Sequence, residues 1–107
     1  MTVMLRLIVV FVSVAAGLIG CASGPPVQEM SDARQAIQAA RAAGATDANS
    51  PDLYAAQAAI LRAETHLEAQ EYNRARLAAL AAKRHAAAAL NEAQQAEAAH
   101  ADAPVTH

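Results

Sequence analysis

The sequence has 107 residues, a formal net charge of −2 and one cysteine, which is room for a single domain and rules out a disulfide framework. Alanine fills 32 positions, so the nominal 55% hydrophobic content leaves only 13 large apolar side chains beyond Cys21. That short list excludes a deep enzyme-type core and an aromatic-lined ligand pocket, and the near-neutral charge argues against a nucleic-acid footprint.

Residues 1–20 read as a secretory signal peptide. Arg6 supplies a weak basic start, Leu7–Ala16 is an apolar run broken only by Ser13, and Gly17 then loosens it. About 16 mostly apolar residues separate Arg6 from Ser23-Gly24-Pro25-Pro26, fewer than the ~20 that a spanning helix needs. Leu18-Ile19-Gly20-Cys21 resembles the bacterial lipobox. The resemblance implies a diacylglyceryl group on the Cys21 sulfur, cleavage before Cys21 and acylation of the new amine. A thiolate is the one strong nucleophile in this stretch, and several acyl chains give a lasting anchor where one is marginal. Ala22 stands where Asp is similar to an inner-membrane retention signal, so the expected address is the outer membrane, facing the periplasm. Residues 21–27, the acylated Cys and Ala22-Ser23-Gly24-Pro25-Pro26-Val27, read as a short extended tether.

From Ser31 to Ala103 there are 29 alanines in 73 residues, and alanine is the best helix former. The expected fold is all-α, with helices over about 28–43, 51–69 and 72–101 inside a domain of residues 28–101. In the first helix Met30, Ala33, Ile37 and Ala40 recur at helical spacing, and Gly44 stands at the C-cap position. A polar loop over residues 45–50 leads to Ser50-Pro51-Asp52, with Ser at N-cap, Pro at the first helical position and an acid in the first turn. In the second helix Leu53, Ala56, Ile60, Ala63 and Leu67 form a seam of alternating large and small residues. In the third, Tyr72, Ala75, Ala79, Ala82, Ala86, Ala89, Ala93 and Ala96 form a seam that lets a neighbour approach closely.

Leu67 and Tyr72 are five residues apart, which breaks the phase of the two seams. On one straight helix they would face nearly opposite sides, whereas a turn near Ala69-Gln70-Glu71 lets them face each other. The expected architecture is therefore a helical hairpin or small three-helix unit with Ala-rich antiparallel seams. The first helix is expected to cross a second apolar stripe on the third, at Leu77 and Leu80. The end of the third helix, residues 91–101, then projects as a free surface through Ala93, Ala96 and Ala99. Residues 102–107 read as a frayed tail.

Ser31-Asp32-Ala33-Arg34-Gln35-Ala36-Ile37, Ala43-Gly44-Ala45, Ser50-Pro51-Asp52-Leu53, Ala63-Glu64 with Leu67, and Glu71-Tyr72-Asn73-Arg74-Ala75 resemble a family of small alanine-rich bacterial lipoproteins. Their helical domain has no assigned function and is sometimes fused to an OmpA-like peptidoglycan-binding domain. The resemblance covers about residues 28–90 and implies a lipidated leader with a short helical domain, and no catalytic residue. One place departs from the pattern: Gln70 stands where the family tends to carry Gly.

Nothing in the chain reads as a catalytic or metal constellation. His66, His85, His100 and His107 are never three or four residues apart and have no cysteine partner beside them. Glu64, Glu68 and Glu71 read as an exposed stripe near Arg62. Arg74, Arg76, Lys83 and Arg84 form a basic stretch without aromatic platforms for nucleic acid. The expected function is a non-enzymatic, membrane-anchored lipoprotein of the cell envelope. It would need no cofactor, metal or small-molecule substrate and would dock to an envelope protein or self-associate. The alternatives are a periplasmic ligand or metal carrier, or an accessory subunit of an envelope enzyme.

Overall fold

A computed structural model describes residues 2–8 and 24–102. Residues 2–8 are helical. Three further helices follow, α1 (Val27–Ala42), α2 (Pro51–Glu68) and α3 (Tyr72–Asp102), and the described residues contain no strand. The fold is all-α, as the alanine content and periodicity predict. Each helix bound lies within one residue of that read from the sequence, and α1 begins at Val27, the last residue of the stretch expected to be tether.

Three of the helix ends have an identifiable cause. The Ser50 side chain accepts a hydrogen bond from the Leu53 N–H at 3.1 Å, and Pro51 opens α2. α1 closes in a Schellman motif: the Gly44 N–H donates to Arg41 O and the Ala45 N–H to Ala40 O, with Gly44 at φ 107°. α2 closes the same way, the Gln70 N–H donating to Leu67 O and the Glu71 N–H to His66 O. Here Gln70 itself takes φ 60°. The turn is therefore as sharp as a glycine would make it, at the cost of a left-handed backbone on an ordinary residue.

The hairpin expected from the broken phase is present, and α1 completes a three-helix unit. Both α1 and α2 pack against α3, and they touch each other much less. α2 runs antiparallel to both neighbours, placing Asp52 beside His85 and Arg34 beside Glu64. α1 runs parallel to α3, with Glu29 against Arg76 and Asp32 against Lys83. The antiparallel seams are those of α2 with its two neighbours, and α1 is parallel to α3 because two connections in an up-down-up unit return the third helix to the direction of the first.

The core is one continuous cluster. Met30, Ala33, Ile37 and Ala40 of α1 are buried, as are Leu53, Ala56, Ile60 and Ala63 of α2. Ala59 joins them, one residue outside the seam read from the sequence. On α3, Ala75, Ala79, Ala82, Ala86 and Ala89 are fully buried at 0% exposure. Leu67 and Tyr72, expected in the seams, are only half-buried, because they flank the hairpin turn where the helices end. Leu77 is 67% exposed and Leu80 half-buried, so α1 does not cross a second stripe there. Both neighbours share the alanine face of α3, since a methyl side chain lets two helix backbones approach the same ridge.

Candidate membrane anchor and the surfaces around it

The lipobox residues Leu18, Ile19, Gly20 and Cys21 lie outside the described residues, and so does the tail over 103–107. The described chain resumes at Gly24, three residues beyond Cys21. From there it is built into the bundle rather than extended as a tether. Pro26 is fully buried, and its carbonyl accepts the first helical hydrogen bond from the Met30 N–H at 3.0 Å. The Arg76 guanidinium donates to the Gly24 carbonyl at 2.8 Å and to Glu29 Oε1 at 3.2 Å. The Arg76 side chain is only 19% exposed, so α3 holds both the entering chain and the first turn of α1. Sequence reasoning missed this clasp. The signal available was the pairing of one acid early in α1 with one cation early in α3, which is legible only once the two helices are known to run parallel.

The basic stretch of α3 divides in two. Arg76 and Lys83 face α1 and pair with Glu29 and Asp32, the second pair at 3.8 Å. Arg74 pairs at 3.1 Å with Glu71 and stays largely exposed. Arg84 is exposed and has no ion pair among the described residues. The acids expected as one exposed stripe also divide: Glu64 reaches across to Arg34 at 2.9 Å, while Glu71 takes His66 at 3.2 Å as well as Arg74.

Past Ala89 the cover of α3 ends. Ala93 is half-buried, whereas Ala96 and Ala99 are exposed. An open cleft of about 600 Å³ lies between this end and the α1–α2 loop, bounded by Ala45, Asn49, Ala93, Ala96, Glu97 and His100. Next to Glu92, which lines the cleft, Asp52 Oδ1 is hydrogen-bonded to His85 Nδ1 at 3.0 Å. That bond first, and then the contact with Glu92, hold the Asp52 carboxyl below its ordinary range. Glu92 is pushed above its own ordinary range, chiefly by the neighbouring Asp52 carboxyl and then by loss of water. The cluster is at the surface, and no group of three metal-ligating side chains occurs among the described residues.

Among the described residues no helix is long and apolar enough to cross a membrane. No protein-family model matches the chain, and no curated protein or solved structure is found to be similar to it.

Proposed function

We propose that this chain is a non-enzymatic lipoprotein of the bacterial cell envelope. In this reading it is cleaved before Cys21, acylated on Cys21 and anchored in the outer membrane with its helical unit in the periplasm. The observation that carries the reading is Leu18-Ile19-Gly20-Cys21, placed directly after an apolar leader and three residues before the folded bundle begins at Gly24. Ala22 in place of Asp supports the outer-membrane address.

The function is that of a scaffold or adaptor. Confinement to a surface raises the effective concentration of the bundle near membrane partners. The surface offered to a partner, or to a second copy, is the uncovered end of α3 with Ala93, Ala96 and Ala99. The construction of the bundle supports the non-enzymatic part. Its interior is alanine and aliphatic, and four of its ion pairs, Arg34–Glu64, Arg76–Glu29, Lys83–Asp32 and His85–Asp52, clasp helix to helix at the surface.

The test is expression of the wild type and Cys21→Ser in a two-membrane bacterium, followed by envelope fractionation and intact-mass measurement. The wild type gains the mass of a diacylglyceryl group and an amide-linked chain and fractionates with membranes. Cys21→Ser remains an unmodified precursor. A Ser variant processed and fractionated like the wild type overturns the reading.

A further inference from the structure

If Cys21 carries the acyl chains, the bundle is not on a long leash. Arg76 fixes the Gly24 carbonyl to α3, and only Ala22 and Ser23 separate Gly24 from Cys21, three residue steps that span at most about 11 Å. The residue after Arg76 is Leu77, the large apolar side chain that α1 leaves uncovered at 67% exposure. Taking about 100° per residue, Asn73, Leu77, Leu80, Arg84 and Ala88 share the side of α3 turned away from the buried alanines. Between residues 72 and 91 the helix carries four Lys and Arg side chains and no acid. Arg76 and Lys83 are matched by Glu29 and Asp32 and Arg74 by Glu71, whereas Arg84 is exposed and has no ion pair among the described residues.

We propose that the outer face of α3, with Leu77 and Arg84, lies against the anionic headgroups of the bilayer to which the chain is anchored. The proposal rests on the lipoprotein reading above. It commits to a lipid surface because Arg84 is of the complementary sign and the chain from Cys21 to Gly24 can reach no farther than about 11 Å. Each exposed cation near an anionic leaflet adds a small attraction, and a single apolar side chain adds a small insertion. Neither would bring a free protein to a membrane. A bundle already confined within about 11 Å of its anchor needs only to be oriented. The clasp of Arg76 on Gly24 is what converts weak attraction into a defined orientation. With α3 lying along the surface, its uncovered end reaches sideways over the membrane plane.

The experiment uses the full mature acylated protein in vesicles of phosphatidylethanolamine and phosphatidylglycerol, with pure phosphatidylcholine vesicles as the neutral reference. Leu77→Cys and, separately, Tyr54→Cys on the exposed side of α2 are labelled with a polarity-sensitive fluorophore and challenged with headgroup-quencher lipids. The acylated sulfur of Cys21 does not react, so each variant has one free thiol. The expected result is strong quenching at position 77 in anionic vesicles, weak quenching there in neutral ones and weak quenching at 54 in both. Arg84→Glu should lower the anionic preference at 77 by about fivefold or more, the weight of a basic residue at such a surface. Arg76→Ala should bring positions 77 and 54 closer to equal quenching by freeing the tether. Acylated protein with equal quenching at 54 and 77, or none at 77, overturns the orientation and leaves the anchor standing. Protein that lacks the acyl mass and carries two reactive thiols overturns the lipoprotein reading itself, and with it the inference.

Discussion

The two halves of α3 carry the same pattern and meet different fates. From Ala75 to Ala89 every seam alanine is fully buried between α1 and α2, while Ala93 is half-covered and Ala96 lies in the open. Nothing in the local sequence marks the boundary. The cause is length: α1 has 16 residues and α2 has 18, against 31 in α3, or roughly 24 and 27 Å of cover for about 46 Å of helix. Alanine thus makes helix in both halves through propensity, but only in the first does it also make an interface. The intrinsic preference suffices to keep a turn or two helical while exposed, whereas packing decides where stability resides.

The largest effect separating the halves is loss of cover. Leu53 is 1% exposed and packs in the same cluster as Ala79, Ala82 and Ala86. Leu53→Ala should cost about 2–5 kcal/mol, a large share of the 5–15 kcal/mol that domains usually have. Amide exchange should accelerate over Ala75–Ala89 and stay unchanged over residues 93–100. Leu67→Ala should cost distinctly less, because Leu67 is only half-buried. Denaturant titration of the two variants side by side ranks them, and an equal loss would mean that the hairpin end is packed as tightly as its middle.

A second comparison adds volume instead of removing it. Ala82→Leu forces extra side chain between helices that meet over a methyl group and should cost about 1–3 kcal/mol. Ala96→Leu, 14 residues farther along the same seam, should stay within about 0.5 kcal/mol of wild type. If Ala82→Leu is as harmless as Ala96→Leu, the three-helix seam is not closely packed in solution.

Much of this arrangement is legible in the residues, for physical reasons that also mark where legibility stops. The spacing of Met30, Ala33, Ile37 and Ala40 names the buried face of α1 without error, and Ser50-Pro51-Asp52 announces the start of α2. The five-residue step from Leu67 to Tyr72 locates the hairpin turn. The place of α1 is another matter. Leu77 and Leu80 look like the better apolar ground for it, yet α1 sits on the alanine face because close backbone approach there gathers Ile37, Ile60 and Leu53 into one cluster. A hydrophobicity pattern ranks side chains by size and misses that small ones can bring larger ones together. The clasp of Arg76 on Gly24 was equally hidden, since it joins residues 52 positions apart. The lipobox-like Leu18-Ile19-Gly20-Cys21 is read from the sequence alone and lies outside the described residues, so the chemistry proposed for it rests on experiment.

The closed half of α3 begins at a strained residue, which gives a smaller and opposite effect. Gln70 takes φ 60° to close the Schellman motif, a conformation that costs non-glycine residues about 1–2 kcal/mol. Gln70→Gly relieves it but adds freedom to the unfolded chain, so the net gain should be about 0.5–1 kcal/mol. Gly44 takes φ 107° with open space around it, and Gly44→Ala should lose stability purely through the backbone. A thermal melt in which the two substitutions move Tm in the same direction would contradict this account of the turns.

The smallest effects belong to the border itself, and their signs oppose. Asp52 is held below its ordinary value, first by its bond to His85. A carboxyl whose folded value is depressed contributes stability above its unfolded value and loses it as pH falls through the folded one. Asp52→Asn should therefore lower Tm at neutral pH, with the deficit shrinking as acid protonates the wild-type group. Glu92 is displaced upward, chiefly by Asp52. Its contribution is present below its unfolded value and is lost as pH rises through the raised one, so at neutral pH its charge works against the fold. Glu92→Gln should raise Tm at neutral pH, and the gain should vanish near pH ~3, where the wild-type carboxyl is already neutral. Both groups sit at the surface, so added salt should shrink both effects. Melting curves of the two variants at neutral and acid pH decide the matter. Shifts of the same sign at neutral pH would mean that Asp52, His85 and Glu92 do not clasp α2 to α3 where its cover ends.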